Sequence, residues 1–216
     1  MATRITSPGP LGHLPRRPVP PPGLEPEALA EAYRAAGPRN RRLAMRLAIV
    51  AEALFFAGLI AAVWQIRRDA TVWPPAGAPL PDRTLLLTNT AVLLASAVTA
   101  WLGLRSFERG RARAGLAWTG ATTALGVGFL YGQWREFVHM GGWQAGEDLF
   151  SPLFNILSGF HAAHVFAGLV LLLVTLAFGF GGRITAGDHL VARLSAWFWW
   201  LVAAVWLVLL LSLLSF

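Results

Sequence analysis

The sequence has no cysteine and no lysine, and only 13% of its 216 residues are charged. Without Cys there can be no disulfide, thiolate metal site, iron–sulfur cluster or cysteine nucleophile. A soluble domain is ordinarily about 25% charged. With 56% hydrophobic residues, a soluble fold of this length could not hide its apolar surface. The same figures exclude intrinsic disorder. A polytopic membrane protein is the class that fits. All 18 basic residues are Arg, and the net charge is +7. They cluster at the ends of apolar runs and in the N-terminal tract, which is a topology signal and not a basic groove for nucleic acid. The absence of Lys reads as genome composition. No n-region and h-region follow Met1, so no cleaved signal peptide is expected, and the first apolar run would act as an uncleaved insertion signal.

Residues 1–42 hold nine of the 14 prolines, including Pro20-Pro21-Pro22, and read as an extended, solvated cytoplasmic tail. Within it, 26–36 could form one short helix that opens on Pro26 and stops at Gly37-Pro38. Residues 43–216 form the membrane domain. Five apolar runs are expected to cross the membrane, at about 43–66, 84–104, 114–134, 153–180 and 195–216. Each has at least the roughly 20 residues that a crossing needs. None alternates with period two, which excludes a barrel and leaves helices. The expected fold is an all-α, five-transmembrane-helix bundle.

Arginine sets the orientation. Arg39, Arg41, Arg42 and Arg46, the loop residues Arg105, Arg109, Arg111 and Arg113, and Arg183 with Arg193 lie on one side. Arg67, Arg68, Arg83 and Arg135 lie on the other. The positive-inside rule then places the N-terminus in the cytoplasm and the C-terminus outside. Trp64, Trp73, Trp134 and Trp143 would mark the outer interface, and Trp101, Trp118, Trp197, Trp199 and Trp200 the inner one.

Few residues inside the runs carry chemistry. Glu52 is the one acid within a run, about nine residues and so roughly 14 Å deep. A charged, lipid-facing carboxylate there costs at least a few kcal/mol. It reads as a protonatable site or polar anchor, or as a neutral Glu tied to nearby backbone. His161 and His164 share one helix face. The other histidines, His13, His139 and His189, fall in the tail and loops, so no second in-membrane imidazole is available for a bis-His haem. Zinc lacks Cys and a His-Glu-x-x-His helix. The pair is better read as hydrogen-bonding neighbouring helices or lipid headgroups. His161 and Glu52 fall within a few Å of the same height in a core of about 30 Å, and are expected to meet directly or through lipid. Gln133, Arg135 and Glu136 end the third run, and Asn89 and Thr90 lie in the second. These fit ordinary interhelical hydrogen bonding.

The run Gly159-Phe160-His161-Ala162-Ala163-His164-Val165, with Gly168 after it, resembles subunit III of haem–copper cytochrome c oxidase. Further segments agree in order. These are Glu52-Ala53-Leu54-Phe55-Phe56, Trp73-Pro74-Pro75-Ala76-Gly77, Asn89-Thr90 through Leu93 and Ser96, Gln133 with Glu136-Phe137, and Ala196-Trp197-Phe198-Trp199. The resemblance covers roughly 43–216 and matches the short, five-helix form. Two positions depart: Trp200 and Ala203 stand where the family has His and Asp. Both fall on one face, as the joint loss of a coupled polar pair would.

The resemblance implies a subunit of an oxidase with no catalytic centre of its own, no haem or copper in this chain, and bound phospholipid. Subunits I and II would be the partners and hold the metals. The setting would be a bacterial plasma membrane. Glu52 carries over as the family's buried carboxylate, and His161, Gln133 and Glu136 as motif positions for structure or lipid. Arg46, near the inner leaflet, could pair a phosphate. The third subunit of a quinol oxidase, or the accessory subunit of a nitric oxide reductase, is the alternative within the superfamily. An ion carrier is disfavoured, since no internal repeat or in-span Pro appears.

Overall fold

The structure, a computed structural model, describes residues 26–141 and 149–214. The tract 1–25 and Trp143 lie outside the described residues. The chain divides into two units, Met1–Arg41 and Arg42–Phe216. In chain order the helices are α1 (Pro26–Asp69), α2 (Arg83–Glu108), α3 (Ala112–His139), α4 (Phe150–Phe180) and α5 (Leu190–Leu214). Among the described residues there is no strand. The helix expected to stop at Gly37-Pro38 does not stop there, because α1 runs on to Asp69. An internal Pro removes one N–H donor, and the Ala, Leu, Glu and Arg around it are strong helix formers.

Helix ends have local causes. Asp82 caps α2, its Oδ1 accepting the N–H groups of Thr84 at 2.9 Å and Leu85 at 3.2 Å, which are donors that the first turn would leave unpaired. Three residues, 109–111, join α2 to α3. Gly110 N–H donates to Phe107 O and Arg111 N–H to Ser106 O, each at 2.9 Å. So short a link makes the two helices antiparallel neighbours. α4 ends at Gly181-Gly182, where Gly182 N–H donates to Gly179 O at 3.0 Å.

α2 packs on α3 and α5, and α4 on α3 and α5, closing a ring of four helices. Phe129, Leu93, Val165, Trp199, Trp206 and Leu209 form its fully buried centre. The interfaces are stitched by hydroxyls and indoles. Trp199 Nε1 donates to Ser96 Oγ at 3.0 Å, and Trp206 Nε1 to Thr90 Oγ1 at 2.9 Å. Thr99 and Thr122 join α2 to α3, and Thr175 and Ser195 join α4 to α5, each pair at 2.8 Å. In hydrocarbon such bonds and close backbone packing do the work that the hydrophobic effect does in water. Trp199 therefore corrects an expectation: it is a core residue and not part of the inner girdle, because its indole finds a partner inside the ring.

From Arg42 onward, α1 buries only Phe56 among its described side chains, with Leu59, Ile60 and Val63 half-packed on the core.

Among the described residues four helices are long and apolar enough to cross a membrane: Asn40–Asp69 of α1, α2, α4, and Leu190–Ser212 of α5. α3 falls short of that standard although it was expected to cross. Its buried stripe explains why. Gly115, Thr119, Thr122, Gly126, Phe129, Gly132 and Glu136 recur every three or four residues, with Gln133 beside Gly132, so apart from Phe129 its inner face is made of small and polar side chains. The threonines silence their own hydroxyls, Thr119 on Gly115 O at 2.8 Å and Thr123 on Thr119 O at 2.9 Å. Small residues admit bulky neighbours. A Cβ on Gly126 would lie 2.5 Å from the Trp199 ring.

Gly126→Ala is therefore expected to cost about 1–3 kcal/mol by overpacking and to lower the melting temperature of the purified protein. Gly128→Ala, whose Cβ would meet nothing within 4 Å, is expected to leave it unchanged or slightly raised. Thermal unfolding in detergent measures both.

Candidate functional site

Glu52 on α1 meets His164 on α4. Glu52 Oε2 lies 2.8 Å from His164 Nε2, and both side chains are half-buried. The tautomer follows from the other ring nitrogen. His164 Nδ1 lies 2.7 Å from Phe160 O, and a carbonyl only accepts, so Nδ1 carries a proton. Nε2 and the carboxylate then share a second proton. Whether written as imidazolium–carboxylate or as neutral imidazole–carboxylic acid, the pair has no net charge. That is the form in which two ionisable groups are tolerable at this depth. Phe56 stands edge-on to His164 with ring centroids 4.9 Å apart, and Phe55 meets Phe160 at 5.3 Å.

His161 was the expected partner of Glu52, and it is not the one that forms the contact. It is wholly buried, and its Nε2 donates to Val202 O on α5 at 3.1 Å. Phe129 and Trp206 flank it, with ring centroids at 5.7 and 5.0 Å. Its Nδ1, a bare acceptor in this tautomer, has no partner among the described residues. Depth decides between the two histidines. His164 sits three residues farther along α4, about 4.5 Å deeper, which closes the few-Å gap in height left between His161 and Glu52.

The remaining candidates collect near the opposite end of α3 from the 109–111 turn. Glu136 is buried, and its Oε1 accepts the Asp82 N–H at 3.0 Å. The residue that caps α2 is thereby tethered to α3. Glu136 lies past the apolar run 114–134, and burial pushes its carboxyl above the ordinary carboxylate range. The Asp82 N–H and then His139 pull it back in part. One turn earlier, Gln133 is buried with Nε2 unpartnered among the described residues. Asn89 Nδ2 donates to Phe129 O at 3.0 Å, its amide seated where a Cβ on Gly132 would stand. Arg46 is exposed. The structure thus brings Glu52 to His164 and gathers Asn89, Gln133 and Glu136, while His161 and Arg46 stand apart.

Sequence reasoning missed Asp82 and Phe56 as parts of these sites. Pro81-Asp82 before a helix does signal a cap. The partner of the Asp82 N–H, 54 residues away, has no local signal.

Among the described residues no three His, Asp or Glu side chains gather as a metal site would need. The chemistry available at Glu52 and His164 is to hold or pass one proton.

The family described as cytochrome c oxidase subunit III matches residues 29–216. The chain belongs to this family. A cytochrome c oxidase subunit 3 from Synechocystis is 34% identical over 80% of this chain and 74% of its own length. One from Pelomedusa subrufa is 33% identical over 81% of the chain and 69% of its own. One from Thermostichus vulcanus is 29% identical over 80% and 85%. This member of the subunit III family is a multi-pass membrane protein. At the two departures noted in the sequence, Trp200 Nε1 donates to Ala97 O at 3.1 Å, and Ala203 is buried in the core. An indole bonded to α2 and a methyl group leave no unpaired polar atom there.

The Glu52–His164 contact makes a double-mutant cycle informative. Glu52→Leu and His164→Leu each strand one polar group, whereas the double variant strands neither. The double is expected to lose less stability than the two singles summed, with a coupling of roughly 0.6–2 kcal/mol, read from thermal unfolding of all four proteins.

Proposed function

We propose that this chain is the third subunit of a proton-pumping haem–copper terminal oxidase, in which it braces subunits I and II, holds structural phospholipid and supports proton uptake. The haem and copper belong to the partner subunits and supply the electron transfer and oxygen reduction. This chain adds no catalytic centre of its own. In this reading α3 is a fifth crossing, the N-terminus faces the cytoplasm, the C-terminus faces outward, and the membrane is a bacterial plasma membrane.

The observation that carries the reading is the subunit III match over 29–216, and the 2.8 Å contact between Glu52 and His164 supports it. The disposition of the imidazoles supports a redox-silent role. His164 has both nitrogens engaged and His161 has one, and the chain has no Cys. The α3 stripe of small residues, packed against α2, supports a membrane-embedded fifth helix in spite of its lower apolarity. The pair Glu52–His164 would stabilise the proton supply to the partner by holding a proton at fixed depth. His161 would act as a brace between α4 and α5, Asn89 as one between α2 and α3, and Gln133, Glu136 and Arg46 would serve lipid or structure.

Two measurements test this. Affinity purification of the tagged chain from native membranes is expected to bring down two partner subunits with a haem spectrum, and recovery of the chain alone would overturn the reading. Glu52→Gln is expected to leave assembly and initial turnover near wild type, since no redox ligand is touched, and to shorten the active lifetime or alter proton uptake. Complete loss of haem from that complex would contradict the assignment.

A further inference from the structure

The link between α4 and α5 is tied down at the end of the bundle that carries the 109–111 turn. Its Ile184 is buried in a cluster with Leu104, Phe107, Ala192 and Ala196. Thr185 N–H donates to Asp188 O at 2.9 Å, and Asp188 N–H to Thr185 Oγ1 at 3.0 Å. His189 follows, half-buried, just before the first turn of α5. Its Nδ1 lies 2.9 Å from Ala186 O, and its Nε2 lies 2.7 Å from Arg193 Nη2. The same Nη2 donates to Oε1 of Glu108, the last residue of α2, at 3.2 Å. One chain of contacts thus runs from the link through α5 to α2.

Each neighbour of this imidazole fixes the place of a proton. A backbone carbonyl only accepts, so Nδ1 carries a hydrogen. A guanidinium only donates and keeps its charge in proteins, so Nε2 must present a lone pair. The form of His189 that fits both neighbours is the neutral ring with its hydrogen on Nδ1. A second proton has one place to go, Nε2, where it would set N–H against N–H across 2.7 Å with a positive charge on each side. His164 is built the other way. Its Nε2 faces a carboxylate, so there a proton joins the pair.

The charged groups around the ring come from each element that meets it. Glu108 stands on α2, Arg193 on α5, and Arg183 and Asp188 on the link. Arg109 and Arg111 flank Gly110, whose Cβ would lie 3.7 Å from Ala186. Glu108 is already paired with Arg193. A ring released by a proton therefore turns to Asp188 or to solvent, and in either place its tie to α5 is lost.

We propose that His189 is a proton-operated latch on the α4–α5 link. Neutral, it fastens the link to Arg193 and through Arg193 to Glu108. Protonated, it lets go, while the Arg193–Glu108 pair and the buried Ile184 hold. The link is thus closed at higher pH and loosens as pH falls. The latch goes beyond the oxidase reading and does not depend on it.

The test is hydrogen exchange of the full-length chain in detergent, read by mass spectrometry at about pH 8 and about pH 5 and corrected for the intrinsic effect of pH on exchange. Peptides covering 185–193 report the bonded N–H groups of Thr185, Asp188 and Arg193. Their protection is expected to fall about tenfold at the lower pH, as for the loss of one hydrogen bond to a charged group, with no change across 119–132 of the core. His189→Gln offers Arg193 an oxygen that does not titrate, and is expected to keep the link protected at both pH values. Glu108→Gln still accepts from Arg193 and is expected to retain the acid response. Nitrogen-15 NMR of labelled histidines, which needs no folded variant, is expected to show His189 as the neutral Nδ1–H tautomer at the higher pH.

Equal protection of the wild-type link at both pH values would overturn the proposal, as would a fall that extends to 119–132. So would a full acid response in His189→Gln, its loss in Glu108→Gln, or an Nε2–H tautomer at the higher pH.

Discussion

Inside a hydrocarbon layer a polar group must find its partner within the protein, because no water will supply one. That constraint organises this molecule. Thr90, Ser96, Thr99, Thr122, Thr175 and Ser195 all bond to groups inside the ring of helices. Glu52 meets the same demand with His164, and His161 meets half of it at Val202. Where a carboxylate and an imidazole face each other, the demand can be met only by a shared proton. The element that satisfies the membrane is also the one able to do proton chemistry.

The second theme is size. α3 presents glycine and threonine to its neighbours and so can lie close to α2, while the largest side chains, Trp199 and Trp206, come from α5. Large against small is how a core reaches dense packing without strain. The cost is legibility. A helix whose buried face is Gly and Thr scores as less apolar than helices that show Leu and Val to lipid, although it is more deeply enclosed than α1.

The helical class and the places of the helices were readable in the sequence, because apolar runs of 21 or more residues have one stable form in a bilayer. The family could be read from Gly159–Val165 and the segments that accompany it in order. The pairing of Glu52 was not fully readable. Spacing put His161 and His164 on one face, and only a finer sum of helix rises separates them. The core place of Trp199 was hidden because an indole is equally at home at an interface and beside a buried hydroxyl. The Asp82–Glu136 tether was hidden because a backbone N–H has no residue type to betray it. Gly37-Pro38 misled for the opposite reason, since a strong local breaker is overruled by the formers around it.

Among the described side chains of α1, Phe56 alone is buried, and this has a consequence for biogenesis. Glu52 is separated from His164 by 112 residues. At 5–20 residues per second, translation needs roughly 6–22 s to bridge that interval. Throughout it the newly inserted helix has one phenylalanine to bury and no imidazole to greet its acid. Thr90 and Ser96 of α2 wait later still, until the indoles of α5 are made, so the polar bonds of this bundle close only as its last two helices arrive.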